Sequence, residues 1–177
     1  MSISHLSLVN QKLAFAGATL SLLNSPSGEQ INSRKLELQA LGDAAVFHMM
    51  MALHFYLREL AELHQIKNPA AIYSVQDLNT ALLQLDKTSS VSSEIVALSQ
   101  LNGSWLNQLI QYYEQLSKSP QKPKDKKAFG QEHFIEIVEL TEVNGQPSIN
   151  LTPELLTLWL ESFRALVIRQ RETSAEY

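Results

Sequence analysis

The segment at residues 44–57, AAVFHMMMALHFYL, constrains the fold more than any other part of this chain. It lies between Asp43 and Arg58 and carries no formally charged side chain, and its only strongly polar residues are His48 and His54. A helix that is apolar on every side has to be covered on every side. The segment is too short to cross a bilayer. It therefore predicts the central helix of an all-α bundle.

The composition favours a single soluble domain over residues 1–177. Apolar residues make up 45% and charged residues 18% of the chain, as in ordinary folded proteins. Six glycines and six prolines are few for a loop-rich β-sandwich, whereas the abundant Leu, Ala, Gln and Glu favour helix. The absence of cysteine excludes disulfides, thiolate catalysis and Cys-ligated metal sites. It also fits a reducing compartment.

The charge distribution argues against a nucleic-acid or membrane surface. Residues 118–127 hold five lysines and one aspartate, and the rest of the chain holds nine basic and 17 acidic residues. An acidic body does not favour nucleic-acid binding. The lysine run lacks interleaved aromatics, so residues 117–130 are interpreted as a solvated linker. Because residues 1–12 lack the pattern of a secretory signal, we expect a cytoplasmic protein.

Apolar residues recur with helical spacing in five segments. The predicted helices cover about residues 4–24, 29–66, 74–85, 93–117 and 152–171. Ser74 and Asp77 resemble a capping box at the start of the third helix. Thr152 followed by Pro153 is a typical start for the last one. Gly42, within the second helix, predicts a close approach of a neighbouring helix.

Residues 132–151 predict a small β-hairpin before the last helix. The run at 134–140, FIEIVEL, is rich in strand-forming residues, and Asn144-Gly145 favours a tight turn. The same run also fits a helical period, and this alternative stays open. The predicted architecture is an antiparallel bundle of about five helices with this hairpin inserted.

Histidine spacing argues against a metal site. His48 and His54 are six residues apart, which places them about 120° apart around a helix, so they cannot chelate one ion from the same face. The sequence holds no HExxH and no Glu-x-x-His pair of the di-iron bundle kind. We expect no metal and no cofactor. Both histidines are predicted to be core or interface residues with hydrogen-bond partners.

Arg58 and His64, in the segment RELAELH, form a short enzymatic motif. Their Arg-x5-His spacing resembles the active-site motif of the HEPN superfamily, helical bundles that include ribonucleases. The resemblance implies a dimer in which Arg58 and His64 act together at a phosphodiester. The alternative is a solvated helix end with Glu59 and Glu62 facing water. The match covers seven residues, so an enzyme is not the leading interpretation.

The leading interpretation is a non-enzymatic interaction or scaffolding protein that acts through a homodimer or a helical partner. It rests on abundant apolar helix surface without convergent chemistry. A third interpretation is a small-ligand site near His48, Met51 and Trp105, which requires an apolar pocket with a few polar groups.

Several apolar and structural motifs are spread along the whole chain. They are Asn10-Gln11-Lys12 with Phe15-Ala16, the segment 44–48, Trp105-Leu106 with Tyr112, and the segment 155–159 with Arg169. In these motifs the chain resembles an uncharacterised gammaproteobacterial family of helical proteins, a domain of unknown function. The resemblance implies a helical bacterial protein and no particular activity. It also suggests the hypothesis that the polar trio Asn10, Gln11 and Lys12 meets His48 across the bundle.

Overall fold

The computed structural model describes residues 4–24, 31–87, 90–118 and 149–175, and their regular structure is entirely helical. The α-helices are α1 (His5–Leu23), α2 (Ile31–Leu63), α3 (Val75–Gln84), α4 (Ser90–Gln100), α5 (Trp105–Ser117) and α6 (Pro153–Ala175). One turn of 3-10 helix at Pro69–Ala71 precedes α3. The all-α prediction is confirmed for these ranges.

The predicted hairpin at 132–151 and linker at 117–130 lie mostly outside the described residues. Within the hairpin, residues 149–151 are described, and they form no strand. Within the linker, Ser117 ends α5 and Lys118 caps it. The described part of the chain therefore contains no hairpin, and it enters α6 directly from residues without regular structure.

Helices α1 and α2 form an antiparallel pair. His5 packs against Phe55, with ring centroids 6.3 Å apart, near the start of α1. Near its end, Arg34 donates a hydrogen bond to the carbonyl of Leu23 over 3.1 Å. The start of α1 therefore lies beside the later part of α2, and the end of α1 lies beside the start of α2. The inner side of α1 is apolar at helical spacing, with Val9, Leu13, Ala16, Leu20 and Leu23 buried.

Helix α6 joins α2 to α5 through large buried side chains. The Phe163 ring lies 6.3 Å from Tyr56 on α2 and 5.4 Å from Trp105 on α5. Trp159 is fully buried, and its indole nitrogen donates to Gln108 over 3.3 Å. Buried aromatics contribute large apolar areas, so α6 is a main support of the core.

The single helix predicted at 93–117 is wrong, because the chain forms α4 and α5 with a turn between them. Gly103 adopts a left-handed conformation with φ +82°, which glycine reaches without the Cβ penalty. Ser104 then caps α5, its hydroxyl accepting from the Asn107 amide over 3.0 Å. This split raises the number of α-helices in the described ranges from the predicted five to six.

The predicted helix starts at Ser74 and Thr152 are confirmed, and Gly42 is closely approached, although the nearest neighbour lies outside the helices and not on one as predicted. Ser74 and Asp77 form a reciprocal capping box. Thr152 accepts from the Leu155 amide over 3.2 Å at the start of α6. A Cβ on Gly42 would come within 2.9 Å of the Leu151 side chain, so the neighbour is the segment that leads into α6.

The described residues do not cover the segment 44–57 on every side as predicted, because one side stays open. Met49, Leu53 and Leu57 are buried, but Phe47 is 47% exposed and His48 is only half-buried. The described residues pack on the rest of α2 and leave this side open. The open side is where the candidate site lies.

Among the described residues, two helices, α1 and the stretch Arg34–Leu63 of α2, are long and apolar enough to cross a membrane by length and composition. Buried core helices of soluble proteins meet the same criteria, and half of the α2 stretch is buried. The segment 44–57 alone is too short for a span, whereas α2 extends well beyond it on both sides.

Candidate functional site

The open side of the helix pair carries a cluster of apolar and aromatic side chains, here named the α1–α2 face. It is defined by Lys12, Phe15 and Leu22 on α1 and by Phe47 and His48 on α2. Phe15 is 43% exposed, Phe47 47% and Leu22 60%. Exposed apolar clusters of this kind are typical of interaction sites.

His48 lies at the centre of the α1–α2 face. Its ring lies 5.5 Å from Phe15 and 5.8 Å from Phe47, both in edge-to-face orientation. Lys12 places its ammonium 5.4 Å from the centroid of the Phe15 ring. The Nδ1 atom of His48 is buried and has no hydrogen-bond partner among the described residues. A buried, unpaired polar atom costs about 1–3 kcal/mol, so a group that pairs with it would stabilise the protein.

The charge state of His48 follows from its surroundings. Burial, and secondly the nearby Lys12 ammonium, lower the pKa of His48 below its ordinary value. The ring is therefore neutral at pH 7 and offers one donor and one acceptor. The prediction that His48 has a hydrogen-bond partner is wrong for Nδ1 within the described ranges.

The structure separates the polar trio Asn10, Gln11 and Lys12. Lys12 faces His48 closely enough to influence its titration. Asn10 instead accepts a hydrogen bond from Arg171 on α6 over 2.8 Å. Residues two apart on a helix point about 200° apart, so Asn10 and Lys12 cannot serve the same face.

A second feature is the His54 cleft, a half-open depression of about 420 Å³ between α2, the start of α3 and α5. Its lining includes Met50, Leu53, His54, Val75, Tyr113 and Glu114. Burial, and secondly Arg58, lower the pKa of His54. The volume falls in the range of small-molecule sites.

The residues predicted to form a ligand pocket do not come together in this cleft. Trp105 packs against Phe163 on α6, with centroids 5.4 Å apart. His48 packs between Phe15 and Phe47, and Met51 is half-buried on α2. None of His48, Met51 and Trp105 lines the His54 cleft.

Arg58 and His64 make contacts in different places. Arg58 donates from Nε to the carbonyl of Ile72 over 3.1 Å, and its guanidinium lies 5.0 Å from the centroid of the Tyr73 ring. It thereby holds the turn that follows α2. The His64 carbonyl accepts from Lys87 over 2.9 Å, and burial and Lys87 lower the pKa of its ring. These contacts do not converge on a common phosphodiester site.

A third feature is a polar network where α6 packs on α2 and α4, here named the α6 joint. Tyr56 donates to Gln170 over 2.6 Å, and Gln170 donates to Glu94 over 2.8 Å. Gln170 is 2% exposed. The sequence analysis did not single out Gln170. This residue lies three positions after Val167, which lies four positions after Phe163, so it continues the helical spacing of the buried apolar residues. A polar residue on such a stripe is the signal that could have found it.

Arg171 completes the α6 joint. It donates two hydrogen bonds of 2.7 Å to the Glu59 carboxylate and one of 2.8 Å to Asn10. The Glu59 side chain is only 17% exposed, so the prediction that it faces water is wrong. Bidentate pairs of this kind are strong and fix orientation. The joint holds four helices together, α1, α2, α4 and α6, and leaves its principal groups paired, which favours a structural role.

Among the described residues, no three His, Asp or Glu side chains are close enough to hold a metal ion. A family model described as "Family of unknown function (DUF6586)" matches residues 1–177, which confirms the expected resemblance to an uncharacterised family. No curated protein and no solved structure matches the chain.

Proposed function

The chain belongs to the DUF6586 family of unknown function, and we propose that it is a non-enzymatic interaction protein that self-associates through the α1–α2 face. The observation that carries the proposal is the exposure of Phe15 and Phe47 around the buried Nδ1 of His48, which has no hydrogen-bond partner among the described residues. We place the protein in the cytoplasm and take its helices as an antiparallel bundle, with the α1–α2 pair as one outer layer.

The spacing of the outward residues supports helices as the occupant of the face. On α1, the half-buried Leu8 and the exposed Phe15 and Leu22 are seven residues apart, and on α2 the same interval separates the exposed residues Ala40 and Phe47. A seven-residue repeat keeps apolar side chains along one seam when helices pack nearly parallel to each other. The apolar rows of α1 and α2 lie side by side. A second pair of helices could pack on both rows and complete a four-helix layer.

A second copy of this chain is the occupant that the chemistry favours. Lys12 is the only charged residue among those that define the face, and homodimer interfaces have apolar centres with few charges. A two-fold axis would bring Phe15, Phe47 and His48 against the same residues of the copy. The neutral His48 ring can then donate or accept across the axis, and the Lys12 ammonium can lie over an aromatic ring.

The test is the mass of the full chain in solution, by analytical ultracentrifugation from about 1 to 100 µM, a range that spans micromolar association. We expect a dimer that dissociates on dilution. Phe47→Ser should weaken association by about tenfold or more, because truncating a central aromatic anchor removes over 1 kcal/mol. Leu158→Ser, on an α6 residue that is 55% exposed outside the face, is the matched control.

Two outcomes contradict the proposal. One is a monomer at every concentration, and the other is equal dissociation by Phe47→Ser and Leu158→Ser. Circular dichroism of each variant verifies that it remains folded. Sedimentation of a monomeric wild type with lipid vesicles, abolished by Phe47→Ser, would assign the face to a membrane surface instead.

A further inference from the structure

The floor of the His54 cleft is apolar and buried. Met50, Leu53, Leu57 and Val75 each have 6% or less of their surface exposed, and all four line the depression of about 420 Å³. A floor of this kind takes up the apolar part of a ligand and excludes water beneath it. The sulfur of Met50 also suits an aromatic ring.

The rim of the cleft carries aromatic and polar groups with a single formal charge. Tyr73, Tyr113, His54 and Glu114 all line it, and Glu114 is the only charged residue in the described lining. No Lys or Arg belongs to that lining. Arg58 lies close to His54, but its Nε is bonded to the Ile72 carbonyl and its guanidinium covers the Tyr73 ring.

These charges select against anions. A phosphate or carboxylate ligand would face Glu114 without a basic side chain in the described lining to pair with it, and like charges repel. The His54 ring is neutral at pH 7, because burial and Arg58 lower its pKa, so it does not supply a cation. A cation is favoured by Glu114 and by the face of the Tyr113 ring, because the Tyr73 face is already taken by the Arg58 guanidinium.

We infer that the His54 cleft binds a small aromatic amine, with the ring on the apolar floor and the ammonium group directed to Glu114 and the Tyr113 ring. Aromatic ligands bury a large apolar area in exchange for few lost rotations. The inference is independent of self-association, because the residues of the cleft and those that define the α1–α2 face do not overlap.

The experiment compares two probes with the same ring and the same two-carbon linker but opposite charges, tryptamine and indole-3-propionate. Binding to the full chain is measured by titration in two-dimensional amide NMR, which also shows where each probe binds. We expect saturable shifts at Met50, His54 and Val75. The affinity for tryptamine should exceed that for indole-3-propionate by about fivefold, as typical of one partly exposed charge pair.

Glu114→Gln tests the charge and keeps the shape of the rim. In this variant the ratio of the affinity for tryptamine to that for indole-3-propionate should fall to nearly one. The amide spectrum shows whether the variant is folded. Glu161→Gln, on an exposed α6 glutamate outside the cleft, is the matched control and should retain the preference.

Three results would overturn the inference. The first is equal affinity of the wild type for both probes, and the second is a preference that survives Glu114→Gln. The third is the absence of saturable shifts in the cleft at about 5 mM of either probe, a concentration that detects even millimolar affinity.

Discussion

The α1–α2 face and the α6 joint share helix α2, and the two regions place polar and apolar side chains in opposite ways. Around Phe47 and His48, α2 exposes aromatic surface and buries a nitrogen without a partner in the described ranges. Around Tyr56 and Glu59, two to three turns further along, it buries polar groups that are all bonded to Gln170 and Arg171. Apolar groups lie outside in one region, and polar groups lie inside in the other.

The difference shows in which region the chain satisfies its own buried polar groups with hydrogen bonds. Buried polar groups are tolerated when they are hydrogen-bonded, and the α6 joint meets this condition within one chain. The α1–α2 face does not meet it, since His48 Nδ1 has no partner in the part of the chain that the structure describes and the rings of Phe15 and Phe47 are partly exposed to water. The first region is therefore interpreted as a finished internal contact, and the second as a contact that a further molecule completes.

Removing Arg171 should have the largest effect on stability. Arg171→Ala leaves the Glu59 carboxylate, 17% exposed, without its bidentate partner. We expect a loss of about 2 kcal/mol in urea unfolding, less than a fully buried pair would give because both side chains retain some solvent contact. Arg169→Ala is the control, because Arg169 is 58% exposed in its pair with Glu94 and should cost under about 1 kcal/mol. Equal losses for the two variants would show that the joint is not a special contact.

Removing one hydroxyl from the joint should have an intermediate effect. Tyr56→Phe leaves the buried Gln170 oxygen without the 2.6 Å bond from Tyr56, which costs about 1–2 kcal/mol in the same assay. Tyr113→Phe removes a hydroxyl from a half-buried tyrosine at the rim of the His54 cleft and should change stability by less than about 0.5 kcal/mol. Equal losses of stability in Tyr56→Phe and Tyr113→Phe would show that the hydrogen bond from Tyr56 to Gln170 contributes little to the free energy of unfolding.

Acidification should weaken the fold through the histidines. The pKa values of His48, His54 and His64 are all lowered from 6.5 by burial. The unfolded chain therefore takes up protons first, and stability that is complete above pH 6.5 falls as the pH drops toward the folded pKa values. His48→Gln should flatten the fall measured between about pH 7.5 and 5.5. If the pH dependence of stability in His48→Gln equals that of the wild type, His48 does not contribute to the fall.

The smallest expected effect is that of Phe47→Ser on the unfolding of the dilute monomer. Phe47 is 47% exposed, so we expect a change below about 0.5 kcal/mol in urea unfolding. The same substitution is expected to weaken self-association at least tenfold, and this combination separates an interface residue from a core residue. A stability loss of about 2 kcal/mol or more would place Phe47 in the core after all.

Local signals in the sequence were sufficient for most of the helices. The capping residues Ser74 and Thr152 mark the starts of α3 and α6, and the spacing of apolar residues defines α1 and α2 to within a few residues. The break between α4 and α5 was missed because the apolar period continues across it. The pair Asn102-Gly103, followed by the cap Ser104, was the turn signal that the period obscured.

The candidate sites were less predictable, because they depend on which helices meet. The trio containing Asn10 and Lys12 was expected on one face, yet one helix carries these residues to opposite sides. The pairing of Arg171 with Glu59 joins residues 112 positions apart, which no local pattern encodes. The exposure of Phe47 has the same cause, since a strongly apolar segment does not indicate which of its sides remains uncovered.

The antiparallel pairing of α1 with α2 has a consequence for synthesis of the chain. Leu23 and Arg34 are joined across 11 positions, whereas the hydrogen bond of Tyr56 with Gln170 in the α6 joint spans 114. Contacts close in sequence form faster, so the α1–α2 hairpin can assemble while the ribosome is still adding later residues. Until α6 is released, this nascent hairpin exposes its inner face as well as its outer one. For that interval its exposed apolar surface is of the kind that aggregates or that chaperones cover, and the interval ends when α6 is available to pack.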